Sequence, residues 1–310
     1  MKIPKGLKIG DTIGLVGASS ATPPESLPLA IEAVKNLGFK VVAGESCKER
    51  HGYLAGSDKL RANDINQMFR DPEIDGIFCI RGGYGATKIL PLLDYELIKE
   101  NPKVFAGYSD VTALHIAFNQ LCELVTYHTP MPSTEFIKPE MDDYTWASFI
   151  ESITLTEENH FKLANPKTQQ MTTLVAGKAT GQLVGGNLTL VTASLGTPYE
   201  IDTKGKILFL EDIDEYERSI DRMLTQLKLA GKFDDAAGLL LGAWTNCGPQ
   251  NPNRPDHSLR LQTIFEEILA PANKPILMDI VCGHCLPTMS LPLGRTVSFD
   301  TATKSIEVIG

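Results

Sequence analysis

Four short stretches of this chain place reactive or charged side chains where they could do chemistry. Gly107-Tyr108-Ser109-Asp110 stands where an apolar run ends and a helical pattern begins. A hydroxyl at such a junction is presented at the carboxyl edge of a parallel sheet. There, backbone N–H groups and the helix dipole favour a developing oxyanion. The segment is like a nucleophile elbow but lacks the second glycine of G-x-S-x-G. Serine or aspartate before a helix is also the commonest N-cap, and on this segment alone capping is the more frequent role. Arg81-Gly82-Gly83-Tyr84-Gly85 directly follows an apolar run at 74–80. Its glycines allow positive φ and let backbone approach a ligand closely. Such a loop could lend an N–H to an oxyanion, cradle a phosphate, or be no more than a tight turn. It has no Gly-Lys-Ser/Thr and does not keep dinucleotide spacing, and Gly17-Ala18-Ser19-Ser20 fails the same test.

Glu211 ends the run Ile207-Leu208-Phe209-Leu210 and opens a cluster with Asp212, Asp214, Glu215 and Glu217. A carboxylate at a strand's end can orient an imidazole and stabilise its protonated form. For Asp212, Asp214 and Glu215 a solvated acidic loop is the expectation, whereas Glu211 adjoins the buried run. His284 lies within Cys282-Gly283-His284-Cys285, just after an apolar run at 275–281. The Cys-x-x-Cys spacing invites a zinc reading, yet no second Cys/His pair follows at finger spacing and no H-E-x-x-H occurs. A general base on a glycine-flanked loop is the functional reading; a structural hydrogen bond is the plain alternative. His115 and His128 are expected to be structural.

The elements that must position these groups follow from periodicity. Strands are expected at 11–17, 40–43, 74–80 and 103–107, alternating with helices at 27–37, 58–69 (Ser57 as N-cap) and 111–122. Strands separated by crossover helices make an α/β domain with a doubly wound parallel sheet. A mixed stretch at about 130–173 holds one helical pattern at 144–153. Beyond it lie strands at 181–184, 206–210, 238–244 and 275–281, a helix at 216–229, and a terminal hairpin at 296–300 and 305–309. This half reads as a smaller, β-rich α/β domain. The division is placed as 1–165, carrying Ser109, and 166–310, carrying Glu211 and His284.

Composition sets the outer limits. The 310 residues are 43% hydrophobic and 22% charged, as in ordinary globular proteins. A formal charge of −9 without a Lys/Arg run argues against a nucleic-acid partner. No apolar stretch approaches the ~20 residues of a membrane span, and Met1–Lys8 is not followed by the apolar core of a secretory signal. A cytoplasmic protein with six reduced cysteines is the expectation.

Several motifs in one order carry a resemblance. Gly10-Asp11-Thr12-Ile13, Arg81–Gly85, Pro91-Leu92-Leu93-Asp94-Tyr95 and Gly107–Leu114 come first. Gly185-Gly186-Asn187-Leu188, Leu210-Glu211-Asp212 before Arg222-Met223-Leu224, and Gly283-His284 follow. In this set and order the chain resembles the LD-carboxypeptidase family of serine peptidases, which includes the microcin C self-immunity peptidases. The resemblance implies a triad of Ser109 as nucleophile, Glu211 as acid and His284 as base. It also implies oxyanion donors at the N–H of Asp110 and of a loop glycine, taken as Gly83, with the site between two domains. It further implies homodimers that use no metal and no cofactor. Arg81 is a candidate for binding a substrate carboxylate, with a backbone nest as the alternative. The expected substrate is a murein tetrapeptide that loses its terminal D-alanine during cytoplasmic wall recycling. The rivals are a microcin-type peptidase acting on peptidyl or aminoacyl nucleotides, and a non-catalytic nucleotide-binding α/β protein. A metal role for Cys282, His284 and Cys285 is weaker still.

Overall fold

The computed structural model describes residues 1–154 and 160–309. In the first half, β1 (Thr12–Val16), β2 (Lys40–Ala43), β3 (Gly76–Cys79), β4 (Val104–Gly107) and β5 (Thr126–His128) form a parallel sheet in the order β5-β4-β3-β1-β2. Ile13 sits opposite both Val41 and Gly76, Ile77 opposite Phe105, and Ala106 opposite Tyr127. β3 and β4 are buried at every position, which is why both read as unbroken apolar runs. Helices cover the sheet at Ser26–Asn36, Asp58–Arg70 and Thr112–Leu121. Ser57 Oγ accepts the Leu60 N–H and caps the second of these. Phe118 packs on Phe105 and Phe69, with ring centroids 4.9 and 5.7 Å away.

This strand order fixes where a ligand can be reached. From β1 the chain winds outward to β2 on one side and to β3 on the other, so the loops after β1 and β3 diverge at the carboxyl edge. Such a reversal opens the crevice that α/β sheets use for ligands. The loops Gly17–Ser20 and Arg81–Gly85 occupy it.

In the second half, the parallel core runs β8 (Lys178–Asn187), β9 (Ile207–Ile213), β10 (Gly238–Thr245) and β11 (Ile276–Met278). β6 (Phe161–Leu163), β7 (Thr172–Val175) and the hairpin Thr296–Asp300/Ser305–Val308 extend it antiparallel into eight strands. Helix Glu217–Leu229 buries Ile220, Met223, Leu224 and Leu227, the face its spacing calls for.

The chain divides into two compact units, Met1–Glu158 with Ser290–Gly294, and Asn159–Met289 with Arg295–Gly310. The strand Leu291–Leu293 returns to the first unit and pairs antiparallel with β5, Leu291 opposite His128. A division placed at 165 assigns each half one continuous segment, so this return has no counterpart in it. Among the described residues no helix is long and apolar enough to cross a membrane.

Candidate active site

Ser109 stands directly after β4, at the start of a 3₁₀ turn (Ser109–Val111) that leads into helix Thr112–Leu121. That helix has Val111 at its N-cap position, with no side-chain cap bond from it. The Ser109 backbone has φ +66°, a left-handed conformation that costs a non-glycine residue on the order of 1–3 kcal/mol. Strain of this kind at a strand-to-helix turn is the mark of a nucleophile elbow. The surrounding packing holds it. Buried His115 donates from Nε2 to the Gly107 carbonyl at 2.8 Å, and burial presses its pKa down to about 4, so the ring stays neutral. Asp110 is buried, and its carboxyl accepts the Ala86 N–H at 2.8 Å. Burial raises its pKa.

The Arg81–Gly85 loop lies against this elbow. A Cβ on Gly82 would fall 2.9 Å from Ser109 Cβ and 3.1 Å from its Oγ, so only glycine lets the loop come so near the hydroxyl. Ser20, at the end of the β1 loop, clasps the turn. Its N–H donates to the Gly82 carbonyl at 3.3 Å, and its Oγ accepts the Tyr84 N–H at 3.1 Å. Gly83, the expected oxyanion donor, sits between these two anchors. Arg81 donates from Nη1 to the Ala21 carbonyl at 3.1 Å. The role of Ser20 was not read from the sequence, although Gly17-Ala18-Ser19-Ser20 marks the loop that supplies it.

In the second unit, Glu211 and His284 come together. Glu211 lies on β9, wholly buried, and its Oε2 accepts a hydrogen bond from His284 Nδ1 at 2.7 Å. The imidazole keeps 12% of its side chain exposed, and the His284 carbonyl accepts from Thr245 Oγ1 at 2.6 Å. Gly283 is required for this approach, because a Cβ there would stand 2.6 Å from Glu211 Oε2. Glu211 Oε1 has no hydrogen-bond partner among the described residues. The imidazole is thus the one hydrogen-bond donor to this buried carboxyl among the described residues, in a setting where such a bond acts most strongly.

Asp212 differs from its expected place in a solvated loop. It is 2% exposed and accepts from Asn187 Nδ2 at 2.8 Å, from Thr189 N–H at 3.0 Å and from Thr189 Oγ1 at 2.9 Å. Burial, with the Glu211 charge beside it, raises its pKa. The cause is pairing of β8 with β9, which sets Asn187 opposite Glu211. Asp214 does remain at the surface, accepting from Asn246 Nδ2 at 3.1 Å. Cys282 is buried, and Cys285 Sγ donates to the Pro287 carbonyl at 3.3 Å. His128 lies within β5.

The sequence matches the LD-carboxypeptidase N-terminal domain over residues 13–129 and the LD-carboxypeptidase C-terminal domain over residues 180–299. The chain belongs to the LD-carboxypeptidase family. A probable murein peptide carboxypeptidase of Bacillus subtilis strain 168 is 43% identical over 302 residues, covering 97% of this chain and 92% of that protein. The solved structure of MccF with glutamyl sulfamoyl guanosine has a TM-score of 0.90 at 27% identity, over 99% of this chain and 98% of that one. Muramoyltetrapeptide carboxypeptidase from Oxalobacter formigenes has a TM-score of 0.83 at 25% identity, over 96% and 97%. As an LD-carboxypeptidase family member the chain is a peptidase. The strained serine lies in its N-terminal family domain, and the Glu–His pair in its C-terminal one.

Proposed function

We propose that this protein is a serine LD-carboxypeptidase that removes the terminal D-alanine from murein tetrapeptides, with Ser109, Glu211 and His284 as its triad. The observation that bears most weight is the buried Glu211–His284 bond at 2.7 Å. It holds the imidazole with its proton on Nδ1, leaving Nε2 to accept a proton. In this reading His284 Nε2 takes the Ser109 proton as Oγ attacks the carbonyl of the L-centre joined to the terminal D-residue. The N–H groups of Asp110 and Gly83 receive the oxyanion, each such donor contributing about 10²–10³ in rate. His284 then protonates the leaving amine, and water releases the acyl group. The relay calls for no metal or cofactor. The setting is cytoplasmic recycling of wall peptides, by a homodimer.

The names of the 43%-identical relative and of the Oxalobacter formigenes structure support a murein peptide as substrate. The MccF structure holding glutamyl sulfamoyl guanosine supports a second reading, the same chemistry on an aminoacyl nucleotide. One mass-spectrometric comparison tests both. Tetrapeptide incubated with wild type is expected to lose one D-alanine, and with Ser109→Ala to stay intact while the fold persists. Tetrapeptide left whole by wild type, with an aminoacyl sulfamoyl adenosine cleaved instead, would give the second reading the field.

A further inference from the structure

A carboxypeptidase must grip a terminal carboxylate, and the crevice beside Ser109 contains a cation with no counter-charge. We propose that the Arg81 guanidinium is the group that binds the carboxylate of the residue to be released. This assignment rests on the carboxypeptidase reading above.

Three observations lead to it. First, Arg81 is held in place without being neutralised. Its Nη1 donates to the Ala21 carbonyl at 3.1 Å, its Nε is buried without a partner, and no carboxylate among the described residues lies within ion-pair distance of it or of Arg50. Burial, and then the charge of Arg50, push the Arg81 pKa below its ordinary value. An anion arriving here relieves that repulsion.

Second, position suits the task. Arg81 follows β3 at the reversal of strand order, where α/β sheets take their ligands. Its neighbour Gly82 abuts Ser109, with an added Cβ at 3.1 Å from Oγ, and one peptide unit separates the two Cα atoms by about 3.8 Å. In a substrate the scissile carbonyl and the terminal carboxylate are likewise one residue apart.

Third, the chemistry is selective. With one Nη1 N–H engaged by Ala21 and Nε sealed, the second Nη1 N–H and the two on Nη2 remain to donate. A charge-assisted bond to a guanidinium is stronger than one to a neutral donor and is directional. A terminal amide would bring only a neutral oxygen to the same place.

The test uses two tetrapeptides, one ending in D-alanine and one in D-alaninamide, with wild type, Arg81→Gln and Arg81→Lys. Wild type is expected to favour the acid in kcat/KM by about tenfold to a hundredfold, the range of one hydrogen bond to a charged group. Arg81→Gln should bring the acid-to-amide ratio of kcat/KM down to about one. Arg81→Lys, which keeps the charge and loses the planar fork, should fall between. A preference for the acid that survives in Arg81→Gln overturns the assignment. So does an equal loss on both peptides. Calorimetric binding to Ser109→Ala protein separates this proposal from the one beneath it. Tighter binding of acid than amide, abolished by adding Arg81→Gln, upholds the grip even if wild type releases no D-alanine, a result that removes the hydrolase reading alone. Equal affinity for the two peptides, or no binding of either, removes the grip.

Discussion

Glu211 and His284 show how much one hydrogen bond decides. With Oε2 accepting from Nδ1 at 2.7 Å, the ring nitrogen that faces away must be the basic one. Glu211→Gln preserves shape but can present its amide N–H to Nδ1, which shifts the ring proton to Nε2 and would disable His284 as the base of the proposed relay. The expected loss in kcat is about 10³–10⁴-fold, the scale met when the acid of a serine triad becomes an amide. Circular dichroism should show an unchanged fold. A loss below tenfold would mean that the carboxylate does not govern the tautomer. Gly283→Ala attacks the same bond sterically, through a Cβ 2.6 Å from Oε2 and a φ of +117°. Steady-state kinetics and urea unfolding should show it losing activity and stability together. These residues were legible because each terminates an apolar run, where a sheet presents side chains at its edge. Asp212 was not, since its partners Asn187 and Thr189 come from a strand whose pairing with β9 is not written in the local pattern.

The elbow is a device of its element. Helix Thr112–Leu121 sends His115 back beneath β4, and the bond to the Gly107 carbonyl at 2.8 Å ties the helix to the strand just before the strained serine. This anchor carries a pH signature whose sign follows from its pKa. The folded value, about 4, lies below the ordinary 6.5, so an unfolded chain takes up a proton that the folded one refuses. The group costs nothing above about pH 6.5 and destabilises the fold progressively down to about 4, by roughly 3 kcal/mol. His115→Gln keeps a donor and removes the titration. Urea midpoints measured from pH 7 to 4 should therefore fall less steeply in the variant than in wild type. Asp110, whose raised pKa acts with the opposite sign, is present in both proteins and cancels. An identical slope in the two would show that His115 titrates normally. At this scale most elements were visible in the sequence, down to the Ser57 cap. Helix Leu261–Ile268 was missed because its buried set, Ile264, Phe265 and Ile268, spans little more than one turn. The strand Leu291-Pro292-Leu293 was hidden by its proline, a residue that sheets accept at an edge because no ladder partner needs its N–H.

That edge strand governs the molecule as a whole. The first unit's sheet is incomplete until residues 291–293 pair with β5, more than 160 positions after it in sequence. Asn119 fastens the junction from below, donating from Nδ2 to the carbonyls of Leu124 at 2.7 Å and Leu293 at 3.3 Å. Leu291 and Leu293 are fully buried there. Without them β5 would present open backbone groups and an uncovered apolar rim, a template for pairing with other chains. A fragment of residues 1–154 is accordingly expected to aggregate. The same fragment with 290–294 attached through a flexible linker should give soluble monomer and a cooperative urea transition. In the intact chain, Leu291→Ala should cost about 2–5 kcal/mol, read from the first unfolding transition. If the bare fragment instead proves as soluble and as cooperative as the one carrying the strand, the family's N-terminal domain closes by itself. The chain's late return would then have no part in its folding.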